Sequence, residues 1–89
     1  MPYIKQEKRV ELDGRLADIM EMPLSEGELN YLITKLCLAY IENHGESYAT
    51  CNAVVGVLEC AKLEFYRRLV ALYEDCKIVS NGDVYDVEP

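Results

Sequence analysis

Residues 58–68, LECAKLEFYRR, carry the side chains in this sequence most capable of chemistry. Glu59 could serve as a metal ligand or general base if its surroundings raised its pKa. Arg67 and Arg68 could together clamp a phosphate or a carboxylate. We therefore take Glu59, Tyr66, Arg67 and Arg68 as candidate partner-facing or functional residues.

Glu59 could instead have a structural role, and we favour the structural role over the functional one. Glu59, Tyr66 and Tyr73 are spaced seven residues apart, which places them on one edge of a helix. A half-buried carboxylate there would need a hydrogen-bond partner to offset its desolvation. The candidate partners are the Tyr66 hydroxyl and the polar groups of Asn30 and Tyr31.

Glu64 precedes Arg67 and Arg68 by three and four residues. That spacing is typical of ion pairs on a solvated helix surface, each worth a few tenths of a kcal/mol. We favour such pairs over an anion clamp.

The remaining motifs point to no active site. His44 is the single histidine, and we interpret it as an imidazolium near the C-terminal dipole of a helix. Cys37, Cys51, Cys60 and Cys76 do not have the spacing of a zinc site, and we expect buried free thiols. No glycine-rich phosphate loop or nucleophile elbow occurs. We therefore assign no catalytic, cofactor-binding or metal-binding residue and expect no cofactor.

An enzyme on this chain would depend on acidic residues gathered from several helices. All-helical nucleotide pyrophosphohydrolases do this around Mg²⁺ within a dimer. Glu28, Glu42, Glu59 and Glu64 are available here, but the closely paired acidic motif of those enzymes is missing. A metal-dependent nucleotide phosphohydrolase with Glu59 at its centre remains an alternative, and a non-enzymatic role is favoured.

Composition bounds the class of protein. The 89 residues are 51% hydrophobic and 28% charged, which predicts one folded domain over residues 1–89. The net charge of −7 opposes general affinity for nucleic acid. An accessory nucleic-acid binder that uses basic residues remains a faint alternative, and those residues are Lys5, Lys8, Arg9, Arg67 and Arg68.

The chain contains no apolar run of the length that crosses a bilayer, and its N-terminus lacks the pattern of a signal peptide. These features predict a cytoplasmic protein without a membrane partner.

Apolar periodicity predicts the elements that position these side chains. A first helix is expected over residues 7–22, ended by Pro23. Ser25 with Glu28 forms the pattern of a capping box that opens a second helix, and Gly45 is placed to end it.

Ser47 opens a third helix that we extend to Cys76, interrupted only by Gly56. Its apolar residues cover more than half of its circumference, and two shorter helices cannot easily cover them all. We therefore expect a homodimer that pairs through this helix, with Gly56 as the place where it could bend.

The C-terminal residues 77–86 contain Asn81 and Gly82 between two short β-prone runs, which predicts a hairpin with strands over 77–80 and 83–86. Such a hairpin could pair with the N-terminal PYIK. The alternative is a helix C-terminus followed by a turn.

Several stretches of the chain resemble a known family. They are MPYIKQE, LNYLITKL, GVLECAKLEFYRR, YED and NGDVY. Together they are similar to a family of small uncharacterised proteins found in bacteriophages, bacteria and archaea, over nearly the entire chain. The resemblance implies a cytoplasmic, phage-derived accessory protein, and it implies no activity, cofactor or site residue.

The expected fold is mainly α, a three-helix domain with a long third helix and a small C-terminal β-hairpin. The expected function is that of a non-enzymatic homodimeric interaction module whose protein partner is unknown.

Overall fold

A computed structural model describes residues 3–85 of the chain. The helical elements in that range are α1 (Gln6–Met20), α2 (Glu26–His44), α3 (Tyr48–Phe65), a π-helical segment (Tyr66–Val70) and α4 (Ala71–Asn81). The π segment follows α3 and precedes α4 without an intervening loop, so the last three elements form one helical stretch. No strand occurs between residues 3 and 85. The mainly α prediction is therefore confirmed.

The chain divides into two units, residues 1–57 and residues 58–89. The first contains α1, α2 and the beginning of α3. The second contains the end of α3, the π segment and α4. Within the first unit, α1 and α2 are not packed side by side.

Neither unit buries a side chain among the residues that the structure describes. The most covered apolar side chains are only half-buried. In the first unit they include Leu24, Leu32 and Ile41, and in the second they are Val70 and Ala71. Each unit taken by itself therefore lacks a hydrophobic core in its described part.

Helix α1 is held by local contacts. The Lys5 carbonyl accepts the backbone N–H groups of Lys8 and Arg9, and Lys8 forms an ion pair of 2.8 Å with Glu11. The helix ends at Met20, just before Pro23, as proline geometry requires. The prediction of a helix over 7–22 is confirmed to within two residues.

The start of α2 is the predicted capping box. The Ser25 hydroxyl accepts the Glu28 backbone N–H at 3.1 Å, and the Glu28 carboxylate accepts the Ser25 N–H at 2.8 Å. These two hydrogen bonds satisfy amide groups that would otherwise have no partner in the first turn. They also lower the pKa of Glu28, because the backbone and hydroxyl of Ser25 favour its charged form.

The connection between α2 and α3 is also organised by local hydrogen bonds. Gly45 adopts a φ of 88°, a conformation that favours glycine. His44 closes α2 as expected, with its Nδ1 lying 2.9 Å from the Tyr40 carbonyl oxygen. Ser47 and Thr50 then cap α3 reciprocally, each accepting the backbone N–H of the other at 3.0 to 3.1 Å.

The predicted C-terminal β-hairpin is wrong. Residues 77–80 belong to α4, which continues to Asn81, and residues 83–85 form no strand. Gly82 has a φ of 88°, and its N–H bonds the Ile78 carbonyl at 2.9 Å. The Asn-Gly pair therefore ends a helix, because the positive φ that suits a hairpin turn also suits the residue after a helix. Residue 86 and the first residue of PYIK, Pro2, lie outside the described residues.

The irregular part of the long helical stretch is not at the predicted place. Gly56 lies inside α3, and the helix continues through it. The departure from α geometry falls instead at Tyr66–Val70, where five residues are π-helical. A π turn rotates by a smaller angle per residue than an α turn and therefore holds about one residue more. It thus changes which later side chains share a face of the helix.

The four cysteines are free, as predicted, but they are not buried. Cys37 is half-buried, whereas Cys51, Cys60 and Cys76 are exposed. Their apolar neighbours are exposed as well, because neither unit forms a core in its described part.

The capping box makes the start of α2 sensitive to acid. The pKa of Glu28 is depressed below 4.5 in the folded chain, so its contribution is present above that value and is lost as pH falls through the depressed pKa. We expect acidification to reduce helicity measured by circular dichroism, and Glu28→Gln to remove part of that dependence. Ser25→Ala should destabilise the helix by about 1 kcal/mol.

The matched control is Glu26→Gln, which removes a first-turn carboxylate that takes no part in the capping box. An acid titration of Glu28→Gln that overlays that of the unmodified chain would contradict this account.

Candidate functional site

The four candidate residues all lie in the second unit, on the end of α3 and in the π segment. Glu59 forms an ion pair of 3.2 Å with Lys62, and its side chain is 56% exposed. It is not the partner of the Tyr66 hydroxyl, which bonds Glu74. The expected hydrogen bond between Glu59 and Tyr66 is therefore absent, and a solvated ion pair takes its place. A partner-facing role for Glu59 stays a prediction.

The two arginines have different environments. Arg67 donates from Nη2 to the Glu64 carboxylate at 2.9 Å, which confirms the predicted ion pair three residues apart. The Glu64 side chain is only 17% exposed, so this pair is better screened from water than that of Glu59. Arg68 forms no ion pair with an acidic residue of the described range. A joint role of Arg67 and Arg68 towards an anion stays a prediction.

Tyr66 begins the π segment and donates its hydroxyl hydrogen to the Glu74 carboxylate on α4. The hydrogen bond to Glu74 raises the pKa of Tyr66 above 10.0, since losing the proton would leave two negative groups in contact. Desolvation of Tyr66 and the charge of Glu74 also raise the pKa of Tyr66, as does the charge of Tyr85. Tyr66 thus stays a neutral hydrogen-bond donor well into alkaline pH.

The π segment explains why residues eight apart can meet. An α turn holds about 3.6 residues and a π turn about one more, so one of each holds roughly eight. Tyr66 and Glu74 are separated by this interval and so lie above one another. In an uninterrupted α-helix they would be about 80° apart around the axis. Reasoning from α periodicity alone therefore missed Glu74, and no signal in the sequence marks the π turn.

A shallow groove of about 460 Å³ adjoins this hydrogen bond. Its α4 side includes Glu74, Ile78 and Asn81, and its other side is formed by the residues after the helix. Those residues turn back over α4, and the Tyr85 N–H bonds the Asp83 carboxylate at 3.0 Å. The groove thus combines carboxylates with tyrosine rings, which could contact a cationic or polar surface.

The first unit has a smaller apolar groove of about 280 Å³ where the end of α1 leads into α2. Its lining includes Ile19, Met22, Leu24, Tyr31 and Leu32. The Lys35 amine lies 6.0 Å from the centre of the Tyr31 ring beside it. A surface of this kind suits an apolar side chain of another molecule.

A catalytic metal centre finds no support in the described range. Between residues 3 and 85, no three His, Cys, Asp or Glu side chains converge in a way that could hold a metal ion. Each strong polar contact of the candidate residues is instead made within one or two helical turns. The site is therefore a set of locally paired side chains beside exposed apolar surface.

The fold and site define the class: the chain is a small protein whose described elements are all helical and whose described residues form no metal-binding cluster. None of its described helices has both the length and the apolar character needed to cross a membrane.

The chain belongs to the family described as Domain of unknown function (DUF6899), whose model matches residues 1–84. The expected membership of an uncharacterised family is confirmed by this match. No curated protein matches the chain. No solved structure matches it either.

The Tyr66 hydrogen bond predicts a measurable titration. We expect Glu74→Gln to lower the pKa of Tyr66 towards 10.0, because a neutral amide no longer opposes formation of the tyrosinate. Ultraviolet absorbance of tyrosinate, taken as the difference between each variant and the same variant with Tyr66→Phe, isolates this group. The raised pKa stabilises the fold below 10.0, and that contribution is lost as pH rises through the raised value.

Asp75→Asn serves as the control, since it removes the adjacent carboxylate without touching the hydrogen bond. Identical tyrosinate titrations in Glu74→Gln and in the unmodified chain would show that the contact does not exist in solution.

Proposed function

We propose that this protein is a non-enzymatic interaction module that works as a homodimer held by the helical stretch of α3, the π segment and α4. One observation carries the proposal. No described side chain of either unit is buried, although the chain is rich in large apolar residues. A folded chain of about this size needs a core or an oligomer to outweigh its conformational entropy.

Three large apolar side chains of the second unit, spaced four and three residues apart, are exposed. Phe65 is 61% exposed, Leu69 57% and Leu72 60%. Complete burial of one such side chain stabilises by about 1.5 to 3 kcal/mol. Contiguous apolar surface of this kind is typical of a protein interface rather than of a solvated helix.

A second copy is the simplest molecule to cover this face. It is present at the same concentration as the chain itself and carries the same apolar stripe. In a dimer with a two-fold axis, the same face of each chain covers that of the other. This is the commonest arrangement among homo-oligomers. The charged residues at the edges of the stripe are already paired or solvated, so they do not have to be buried to form the interface.

The local pairing of the candidate residues supports a structural role for them. Glu59 pairs with Lys62, Arg67 with Glu64, and Tyr66 with Glu74. A nucleophile or general base would instead need a free functional group near a substrate cavity. The acidic groove beside Tyr66 and the apolar groove of the first unit remain available to a further protein partner.

We also propose a cytoplasmic location and a phage-related accessory role. All four cysteines are free, which suits a reducing compartment. The phage-related role rests on the resemblance of the sequence to small proteins of bacteriophages and of the cells they infect.

The dimer is tested by sedimentation or light scattering over a range of concentrations. We expect association at micromolar concentration and at least about tenfold weaker association in Leu69→Ala, because a buried leucine would be lost. Alanine preserves helix propensity, and circular dichroism at high concentration checks that the variant folds.

Leu29→Ala, which truncates an exposed leucine of α2, is the matched control and should leave association unchanged. A chain that stays monomeric at every concentration would overturn the proposed function.

A further inference from the structure

The acidic groove of the second unit, about 460 Å³ in volume, is lined by more negative than positive groups. Among its described lining residues, Glu74, Asp75 and Asp83 carry carboxylates and Lys77 carries an amine. The Lys77 amine lies 5.5 Å from the centre of the Tyr73 ring, which is not part of that described lining. The described lining therefore has an excess of negative charge, which attracts a cation.

The carboxylates of the groove keep the capacity for further hydrogen bonds. Glu74 accepts the Tyr66 hydroxyl through Oε1. Asp83 accepts the Tyr85 N–H through Oδ1. Asp75 has no hydrogen bond or ion pair with another residue between 3 and 85. An ionised carboxylate has two oxygens and about four acceptor sites, so all three carboxylates can accept further donors.

The spacing of these carboxylates does not suit a bare metal ion. Between residues 3 and 85, no three His, Cys, Asp or Glu side chains are arranged so that they could hold one. A planar guanidinium has five N–H donors and can bond carboxylates that lie farther apart than the ligands of a metal ion. An arginine side chain therefore matches the groove better than a divalent cation does.

The rest of the described lining includes apolar and aromatic groups. Ile78 and Val84 contribute apolar side chains, and Tyr66 and Tyr85 contribute rings. Val84 is 92% exposed and Tyr85 is 75% exposed, so the described chain leaves both open to a partner. Guanidinium groups stack on tyrosine rings, and apolar side chains pack against isoleucine and valine. The volume of the groove is within the range of sites that hold small organic groups.

We infer that the acidic groove binds an arginine side chain of a partner protein, together with an apolar residue next to that arginine. The guanidinium bonds Asp75 and Asp83 and stacks on Tyr85. The apolar neighbour contacts Ile78 and Val84. This inference rests on the proposed interaction module and specifies the chemistry of its further protein partner. Phosphate groups are repelled by the same carboxylates, so a nucleic acid does not fit this groove.

The groove and the proposed dimer face use different residues. Phe65, Leu69 and Leu72 are not among the described residues that line the groove. Binding at the groove and self-association can therefore be measured separately.

A short peptide tests the proposed chemistry. The probe has the sequence Gly-Leu-Arg-Leu-Gly with acetyl and amide ends, and it is titrated at low salt into the full chain. Backbone amide signals of α4 and of residues 82–85, followed by nuclear magnetic resonance, report binding at the groove. We expect binding at least about fivefold tighter than that of the same peptide with glutamine in place of arginine, because the neutral amide is not attracted by the carboxylates.

Two variants assign the contacts. Asp75→Asn combined with Asp83→Asn should weaken binding of the arginine peptide about tenfold and leave that of the glutamine peptide nearly unchanged. The asparagine at position 83 keeps an oxygen that can accept the Tyr85 N–H, so the turn after α4 is retained. Tyr85→Leu keeps the apolar bulk and should weaken binding of the arginine peptide about threefold, because the cation–π contact is lost.

The matched control is Asp13→Asn combined with Asp18→Asn on α1, which changes the net charge equally in the first unit and should leave peptide binding unchanged. Circular dichroism checks that both double variants keep their helices. Equal affinity of the unmodified chain for the two peptides would overturn the inference. Equal affinity of the two double variants for the arginine peptide would also overturn it.

These results are distinguishable from a failure of the proposed homodimer. A dimeric chain without preference for the arginine peptide would remove this inference and leave the homodimer standing. A monomeric chain that binds the arginine peptide through Asp75 and Asp83 would remove the homodimer and support the inference.

Discussion

The structure depends on apolar surface that the helices of each unit expose but do not cover. A helix of 15 residues such as α1 is marginal in water on its own. Capping bonds and ion pairs stabilise them by small amounts, and in most proteins the larger contribution comes from burying an amphipathic face. With no buried side chain in the described part, that contribution is missing from each unit taken by itself, and the proposed homodimer would supply it.

Local features were predictable from sequence because their causes are local. Ser25 and Glu28 satisfy each other's amides over three residues, and Ser47 starts α3 for the same reason. The ion pair between Glu64 and Arg67 also follows from spacing alone. The prediction of a hairpin was wrong because a positive φ at Gly82 fits both a hairpin turn and the end of a helix. The choice between the two depends on whether residues 77–80 continue a helix.

The candidate site was predicted less well than the helices. Glu59 and Tyr66 were placed on one edge by α periodicity, but the contact that forms is between Tyr66 and Glu74. It requires an extra residue in one turn, and the residues of the π segment are not distinctive for such a turn. The environment of Arg68 could not be inferred from spacing either. By spacing, Glu64 could pair with Arg67 or with Arg68, and the ion pair that the structure shows is with Arg67.

The π segment links the hydrogen bond of Tyr66 to the arrangement of the exposed apolar side chains of the second unit. If the helix were α throughout, Leu69, Leu72, Cys76 and Val79 would continue the apolar stripe of Leu58 and Phe65. Tyr66 and Glu74 would then be too far apart around the axis to bond. With the π turn, the hydrogen bond forms and Tyr73 replaces Leu72 in line with Phe65. The same inserted residue therefore sets both the polar contact and the apolar contour.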